Sequence, residues 1–411
     1  MIRGAVPVRA TVLACVLAGC STQYADPVRA GDGGGSSVGP CARWHSEAEC
    51  ALDTVNECSV QPNEVGCRLE DATCVGWTCA SGNPFVEPSG TELLLKGRPF
   101  RFVGANAWGA AGRDGHCQYG GFSSQEQALS QVFGDLSDMR VQVLRVWAFQ
   151  SFCGASGTDY SALDQVVRYS RSAGVRLIFV LENMWDDCSK GKRDDAWFAN
   201  GYREPYGGYA LNFLDYARGL VEHFRAEPTV LAWEIMHEAS GGESSSMLEF
   251  ATQMTALVRR ADQHHHLIVL GSDNGDSPAT QVAGSGSPYT TLQALDTIDM
   301  VDSHDFDSEE SALTDGERAS CAVARSLHKP CFIGASAVSL SNASSQAFSI
   351  RASQVSQKAQ AALDADFAGY LVYAFTPGWQ DVGFDFDARP SEPLAGPNGT
   401  LAGFAARLRE Q

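Results

Sequence analysis

The chain has 411 residues, enough for one large α/β barrel of ~250 residues plus a small additional module. Aspartate and glutamate total 49 against 30 lysines and arginines, which gives a net charge of −19. Because no basic run offsets this charge, we expect no binding to nucleic acid or to anionic lipid head groups. An uncharged ligand is compatible with it.

The first twenty residues have the pattern of a bacterial export signal. Two arginines precede an apolar run from Ala10 to Leu17, and the sequence L-A-G-C that ends at Cys20 has the form of a lipobox. We predict that residues 1–19 are a lipoprotein signal peptide and that Cys20 is lipidated. The protein would then be exported and held at the bacterial cell envelope, at the outer membrane or cell surface, by its lipid anchor only. An ordinary signal peptide cut near the same place is the alternative.

A Gly/Ser-rich linker over residues 20–40 leads into a cysteine-rich segment over residues 41–84. Six of the 13 cysteines fall there: Cys41, Cys50, Cys58, Cys67, Cys74 and Cys79. So short a segment cannot bury enough apolar surface by itself, and we predict a disulfide-rich module whose pairing the sequence leaves open. A zinc site is the alternative, but the spacing lacks two Cys-x-x-Cys pairs.

Five more cysteines lie in residues 85–411, and these are Cys117, Cys153, Cys188, Cys321 and Cys331. Five is an odd number. We therefore expect at least one of them to stay free or to pair outside this domain.

From about Gly90 onward, short β-rich runs alternate with amphipathic stretches of helical length. Eight strands are predicted, ending at Ala107, Trp147, Glu182, Met236, Ser272, His304, Ala335 and Phe375. The helical stretches include 125–139, 211–225, 248–262 and 346–364. About eight βα units close a parallel sheet into a barrel, and no glycine-rich nucleotide loop follows the first strand. The sequence thus predicts an α/β fold, a (β/α)8 TIM barrel over residues 85–411, with its active face at the C-terminal strand ends.

Aromatic and hydrogen-bonding side chains gather at the predicted strand ends. They are Asn106, Trp108, Arg145, Trp147, Asn183, Trp185, His237, Glu238, His304 and Trp379. Tryptophan stacks on the flat C–H faces of pyranose rings, and sugar hydroxyls need donors and acceptors. Packing explains any single tryptophan equally well, but four near separate strand ends favour a polysaccharide or oligosaccharide ligand.

Seven segments in chain order resemble the endo-β-1,4-mannanases of glycoside hydrolase family 5, in clan A. They are FVGANAWG, VLRVWAF, LENMWDD followed by YGGY, EPTVLAWEIMHE, IDMVDSHDF, KPCFIGA and GYLVYAF…GWQD. The resemblance covers residues from Thr91 to Phe404. It implies binding and retaining hydrolysis of a β-mannan or related β-glycan, with two carboxyl groups about 5–5.5 Å apart and no cofactor.

The resemblance also implies roles for individual residues. Glu238 is placed as the acid/base, Arg145 as the electrostatic support of the nucleophile region, and His304 as a contact to the sugar at the cleavage subsite. Glu234, four residues before Glu238 on the same strand, should face the barrel interior at a lower level. We interpret it as a structural partner of a cation.

Four positions depart from the family's pattern. Ala335 stands where the nucleophilic glutamate belongs, and His237 replaces the asparagine that precedes the acid/base. Phe306 replaces a tyrosine that donates to the nucleophile, and Tyr373 replaces the tryptophan beneath the cleavage subsite. These changes are linked, because donors to a lost carboxylate have no acceptor. We expect hydrolysis to be greatly slowed and a vacancy at Ala335, beside Arg145, into which a small anion could fit. The alternative is that His237 or Phe306 has moved into this space.

A second carboxylate could act as the base of an inverting reaction at about 6.5–9.5 Å from the acid. Glu182, Asp307, Glu309 and Glu310 are candidates, whereas Asp305 should face away from the barrel interior. The run His264-His265-His266 suggests a metal, but it precedes the fifth strand at the opposite face. We interpret it as a turn and predict no metal site.

Three hypotheses follow from these observations. The protein is a weakly active β-glycan hydrolase, a catalytically inactive glycan-binding surface lipoprotein, or a structural protein whose cysteine-rich module binds a partner. The retained Trp147, Trp185 and Trp379 argue against the third. The sequence leaves mannan, cellulose and other β-glycans open as ligands.

Overall fold

The computed structural model describes residues 83–409, apart from 114, 241–243, 263–265, 273–287, 307–311, 379–382 and 390–392, together with four short strands before residue 83. The chain divides into two compact units, Met1–Asn83 and Pro84–Gln411. In the first unit, Ser59–Val60 pairs antiparallel with Trp77–Thr78, and Arg68–Glu70 with Thr73–Val75. The predicted signal peptide, Cys20, the linker and the cysteine pairing of the module lie outside the described residues.

The second unit begins with an antiparallel meander of three strands, Val86–Ser89, Glu92–Leu95 and Arg98–Pro99. Eight parallel strands follow: β1 (Phe102–Ala107), β2 (Val143–Trp147), β3 (Arg176–Val180), β4 (Val230–Glu234), β5 (Leu267–Val269), β6 (Val301–Asp305), β7 (Cys331–Ser336) and β8 (Gly369–Val372). Each strand pairs with the next one along the chain, except that β5 and β6 are the two ends of the sheet, and β8 pairs with β1. Between β5 and β6, the backbone N–H of Asp299 donates to the carbonyl of Ile268 at 2.9 Å. The predicted (β/α)8 barrel is confirmed.

One helix follows each strand: α1 (Gln125–Met139), α2 (Ser161–Ala173), α3 (Phe213–Phe224), α4 (Ser244–Ala261), α5 (Pro288–Gln293), α6 (Asp315–Ser326), α7 (Ser345–Asp364) and α8 (Thr400–Arg409). A short helix, Asp195–Ala199, lies in the loop after β3. The N-cap Ser124 accepts from the backbone N–H of Gln127, as expected at a helix start. None of the described helices is long and apolar enough to cross a membrane.

Two hydrophobic cores hold the barrel together. The larger core lies between strands and helices, and one side of α1 contributes Leu129, Val132 and Leu136 at helical spacing. The smaller core contains strand and meander residues, among them Phe102, Ile178 and Phe332. The strands therefore bury both faces, as parallel barrel strands do.

The irregular pairing of β6 with β7 determines which residues meet at the site. The register shifts between Ser303 and His304, so that His304 pairs with Ala335. Asp305 faces away from the interior as predicted, because its carboxylate accepts from the Lys358 ammonium on α7 at 2.7 Å.

The cysteines of this unit form two disulfides, Cys117–Cys188 and Cys321–Cys331. Cys153 is a buried free thiol. The odd number of cysteines predicted at least one such residue, and this is confirmed. Cys117–Cys188 joins the loop after β1 to the loop after β3, which carries Trp185.

Candidate active site

Glu238 follows β4 and is surrounded by N–H groups. Trp185 Nε1 donates to Oε2 at 2.6 Å, His304 Nδ1 lies 2.9 Å from Oε1, and His237 Nε2 lies 3.7 Å from Oε2. Burial alone would raise the pKa of Glu238, but His237, His304 and Trp185 hold it well below its usual range. Glu238 is therefore a carboxylate, whereas a general acid must carry a proton before it reacts.

The backbone at Glu238 is strained, with a φ of +53° in the left-handed region. A residue with a Cβ adopts this conformation at a cost of the order of 1–3 kcal/mol, and such residues cluster at functional sites. The turn directs the carboxylate to the barrel mouth, where 18% of the side chain is exposed.

His304, on β6, is held between two carboxylates. Its Nδ1 contacts Glu238, and its Nε2 lies 3.2 Å from Oδ2 of Asp302. Burial alone would lower the pKa of His304, but the Asp302 and Glu238 carboxylates raise it to about 10. His304 is therefore an imidazolium at neutral pH, with both ring nitrogens donating.

Sequence reasoning missed Asp302. It is buried, and its Oδ1 has no hydrogen-bond partner among the residues that the structure describes. The signal was present, because residues two apart on a strand face the same side and His304 was already placed inward.

Arg145 is fully buried beneath the mouth and supports several predicted residues. Its Nε donates to Oε2 of Glu234 at 2.7 Å, and its Nη2 contacts Oε1 of the same carboxylate. Its Nη1 donates to Oδ1 of Asn106 at 2.9 Å. The interpretation of Glu234 as the structural partner of a cation is confirmed.

The Arg145 guanidinium also fixes the tautomer of His237, because Nη2 lies 3.0 Å from Nδ1 of this ring. Burial lowers the pKa of His237 to about 3, so the ring is neutral at pH 7. An arginine always donates, so Nδ1 accepts and Nε2 carries the hydrogen. The ring therefore presents an N–H donor toward Glu238.

His237, Glu238 and His304 have potential metal-ligand atoms within 4.8 Å of one another. A metal ion binds a lone pair of the imidazole nitrogen. Nε2 of His237 has no lone pair while Arg145 donates to Nδ1. The Asp302–His304 contact is the kind of carboxylate support that metal-bound histidines have, but the contact between Arg145 and His237 opposes ligation.

Ala335 is fully buried and pairs with His304 across β6 and β7. The neighbouring Gly334 carbonyl accepts from Nδ2 of Asn106 at 2.9 Å. Arg145 is already paired with Glu234, so its guanidinium offers no unpaired positive charge to the small anion expected at this position. The vacancy itself stays a prediction.

Among the aromatic residues, Trp108, Trp185 and Tyr373 are partly exposed, and Phe306 is 38% exposed. Phe306 packs on Tyr373 with ring centroids 5.7 Å apart. Trp147 is only 2% exposed and packs on Arg145 and His237, each 4.8 Å from its ring. The structure thus offers Trp108, Trp185 and Tyr373 to a ligand.

Several other predicted residues have internal roles. Asn106 is fully buried, and Asn183 accepts from the backbone N–H of Trp185 at 3.2 Å, which orders the loop that carries the tryptophan. Glu182 is buried and accepts from Ser189 Oγ at 2.7 Å and from the Tyr206 hydroxyl. Trp379, Asp307, Glu309, Glu310 and the pair His264 and His265 lie outside the described residues.

Comparison with known proteins supports the resemblance in the motifs. Mannan endo-1,4-beta-mannosidase A of Podospora anserina is 21% identical over 283 residues, which are 60% of this chain and 71% of that protein. The putative mannan endo-1,4-beta-mannosidase 4 of Arabidopsis thaliana is 23% identical over 56% of this chain and 64% of its own. The chain is thus similar in sequence to mannan endo-1,4-beta-mannosidases.

The fold of the chain is also found in solved structures. The endo-1,4-beta-mannanase of Rhizomucor miehei matches 80% of the chain and all of its own length, with a TM-score of 0.60 and 19% identity. No protein-family model matches the chain. The alignments span 71% and 64% of the two relatives above, and about half of others, such as the mannan endo-1,4-beta-mannosidase F of Aspergillus fumigatus at 54%.

Proposed function

We propose that the barrel binds a β-1,4-linked glycan of the mannan type at its mouth and has lost efficient hydrolysis. The observation that carries this proposal is the state of Glu238. Its carboxylate accepts from Trp185 and contacts the His304 imidazolium, so it is arranged to accept hydrogen bonds rather than to give a proton. Ala335 removes the covalent route as well.

Three described carboxylates near the mouth are engaged elsewhere and do not replace the missing glutamate. Asp302 is buried beneath His304, Asp305 is neutralised by Lys358, and Glu182 is enclosed by its own donors. Binding, in contrast, needs aromatic faces and fixed polar groups. Trp108, Trp185 and Glu238 supply both at one end of the barrel.

The experiment is calorimetry of the full chain with mannohexaose and cellohexaose, followed by product analysis after long incubation. We expect saturable binding of mannohexaose and products at a small fraction of the rate of ordinary mannanases. Rapid cleavage with retained anomeric configuration would overturn the loss of hydrolysis, because it requires a nucleophile. Absence of binding to both oligosaccharides would overturn the glycan ligand.

We also propose that the protein is exported and anchored by a lipid on Cys20. The L-A-G-C sequence supports this. Membrane fractionation of the wild type and of Cys20→Ala tests it. The variant should be released into the soluble fraction, and equal fractionation of the two proteins would overturn the proposal.

A further inference from the structure

Asp302 lies beside the position of the missing nucleophile, although it belongs to a different strand. A methyl group at Gly334 would overlap Oδ1 of Asp302, so the carboxylate sits against the β7 backbone next to Ala335. Only a glycine at 334 leaves room for it. A negative charge is therefore present near position 335, but the Asp302 carboxylate that carries it is buried and out of reach of a sugar.

The imidazole of His304 stands between this carboxylate and Glu238. In a retaining glycosidase the second carboxylate disfavours ionisation of the acid, because like charges close together raise its pKa. Here the carboxylate of Asp302 instead favours an imidazolium at His304, and the positive charge then faces Glu238. Because the histidine lies between them, the second carboxylate favours ionisation of Glu238 instead of disfavouring it.

The other charged groups that the structure describes near His304 do not offset the positive charge that faces Glu238. Arg145 on β2 is paired with Glu234 on β4, and His237 is neutral. Among the residues that the structure describes, Asp302 on β6 and Glu238 after β4 are the carboxylates in direct contact with the ring.

We propose that Asp302 is a positioning residue that, through His304, keeps Glu238 ionised and so blocks proton donation independently of Ala335. The inference deepens the proposed loss of hydrolysis and rests on it. In the blocked step, the acid would give its proton to the glycosidic oxygen as the bond to C1 breaks and a carboxylate at position 335 bonds to C1. The chain then lacks efficient hydrolysis for two separate reasons: the nucleophile is missing, and the acid carries no proton to donate.

The first test is histidine-labelled NMR of the full chain across pH, with His304 assigned by its loss in His304→Gln. In the wild type, His304 should stay charged at pH 7 and titrate at about 10. Asp302→Asn should move its pKa toward the ordinary histidine value of about 6.5. Asp305→Asn is the matched control, since its carboxylate is buried on the same strand but faces Lys358, and it should leave His304 unchanged. A neutral His304 at pH 7 in the wild type overturns the proposal.

The second test uses two substrates to separate the effect of the missing nucleophile from the effect of the ionised acid. A dinitrophenyl β-mannoside has a leaving group that needs no proton, whereas mannohexaose needs one. Ala335→Glu alone should restore cleavage of the first substrate but not of the second. The double variant Asp302→Asn/Ala335→Glu should cleave mannohexaose at least about tenfold faster than Ala335→Glu. This corresponds to an activation barrier lower by about 1.4 kcal/mol.

If Ala335→Glu alone cleaves mannohexaose as fast as the double variant, Asp302 does not block the acid and the proposal fails. It also fails if the double variant gains nothing over the single one while both bind mannohexaose and unfold at the wild-type temperature. The NMR test needs no glycan. A wrong glycan ligand would leave it intact, so the two proposals can fail separately.

Discussion

Nη2 of Arg145 lies 3.0 Å from Nδ1 of His237, and this contact determines what the substituted histidine can do. The guanidinium always donates, so the hydrogen of the neutral ring is on Nε2. His237 therefore offers one donor at the mouth, in the place where the resemblance expects an asparagine amide. The histidine therefore keeps an N–H donor beside Glu238, but an imidazole ring replaces the amide group.

We predict that His237 is the Nε2–H tautomer and that Zn²⁺ does not bind at His237, Glu238 and His304. Nitrogen NMR shifts of the labelled ring report the tautomer directly. Calorimetry with Zn²⁺ should show no saturable heat that depends on His237. A stoichiometric titration that His237→Ala abolishes would contradict the prediction, because it requires a lone pair on Nε2.

The buried pair of Arg145 and Glu234 should be necessary for the barrel to fold stably. Both side chains are fully buried, and Glu234 receives two of the guanidinium N–H groups. Glu234→Gln leaves the cation without its counterion, and we expect a loss of about 3–5 kcal/mol in the free energy of unfolding. Urea unfolding measures this. Glu249→Gln, whose carboxylate pairs with Arg203 and is 64% exposed, is the control and should cost about 0–1 kcal/mol.

The sequence predicted the barrel and the strand ends well because both depend on local patterns. Buried strand runs and helical spacing recur eight times, and a parallel sheet exposes its C-terminal ends together. The inward direction of Glu234 and the outward direction of Asp305 followed from strand alternation alone. These predictions needed no knowledge of what each side chain touches.

The sequence could not predict which of these residues are open to a ligand. Trp147 and Arg145 stand at strand ends like Trp185, but they are buried by contacts with residues distant in the chain. The full burial of Ala335 could not be predicted for the same reason, since the packing around position 335 decides whether a lost side chain leaves a space. The importance of Asp302 depends on the close approach of Gly334, which is a property of the register shift between β6 and β7.

Lys192 should compete with a sugar for the face of Trp185. Its ammonium lies 4.2 Å from the centroid of this ring, where a pyranose would stack. Removing a cation–π contact worth about 0.5–1 kcal/mol should tighten glycan binding by about two- to fivefold in Lys192→Met. The control is Lys190→Met, because Lys190 lies over Tyr209 at 4.8 Å instead. Calorimetry measures both, and weaker binding in Lys192→Met would indicate that the lysine itself contacts the glycan.

The two histidines at the site should make the stability of the protein depend on pH in two separate windows. The pKa of His304 is raised to about 10 by Asp302 and Glu238 against burial, from an ordinary value of about 6.5. Between these values the folded protein keeps a proton that the unfolded chain has released. The stabilisation by His304 is thus complete below about pH 6.5 and is lost as pH rises toward 10, with a slope of at most about 1.4 kcal/mol per pH unit.

His237 acts in the opposite direction, because burial lowers its pKa to about 3. Between about pH 6.5 and 3 the unfolded chain binds a proton that the folded ring does not, so stability falls as pH falls. Urea unfolding at about pH 5, 7 and 9 separates the windows. His304→Gln should flatten the alkaline limb and leave the acid limb, and His237→Asn should do the reverse. If His304→Gln leaves the slope between about pH 7 and 9 unchanged, the ring is not an imidazolium in the folded protein, and Glu238 is not held by a positive charge.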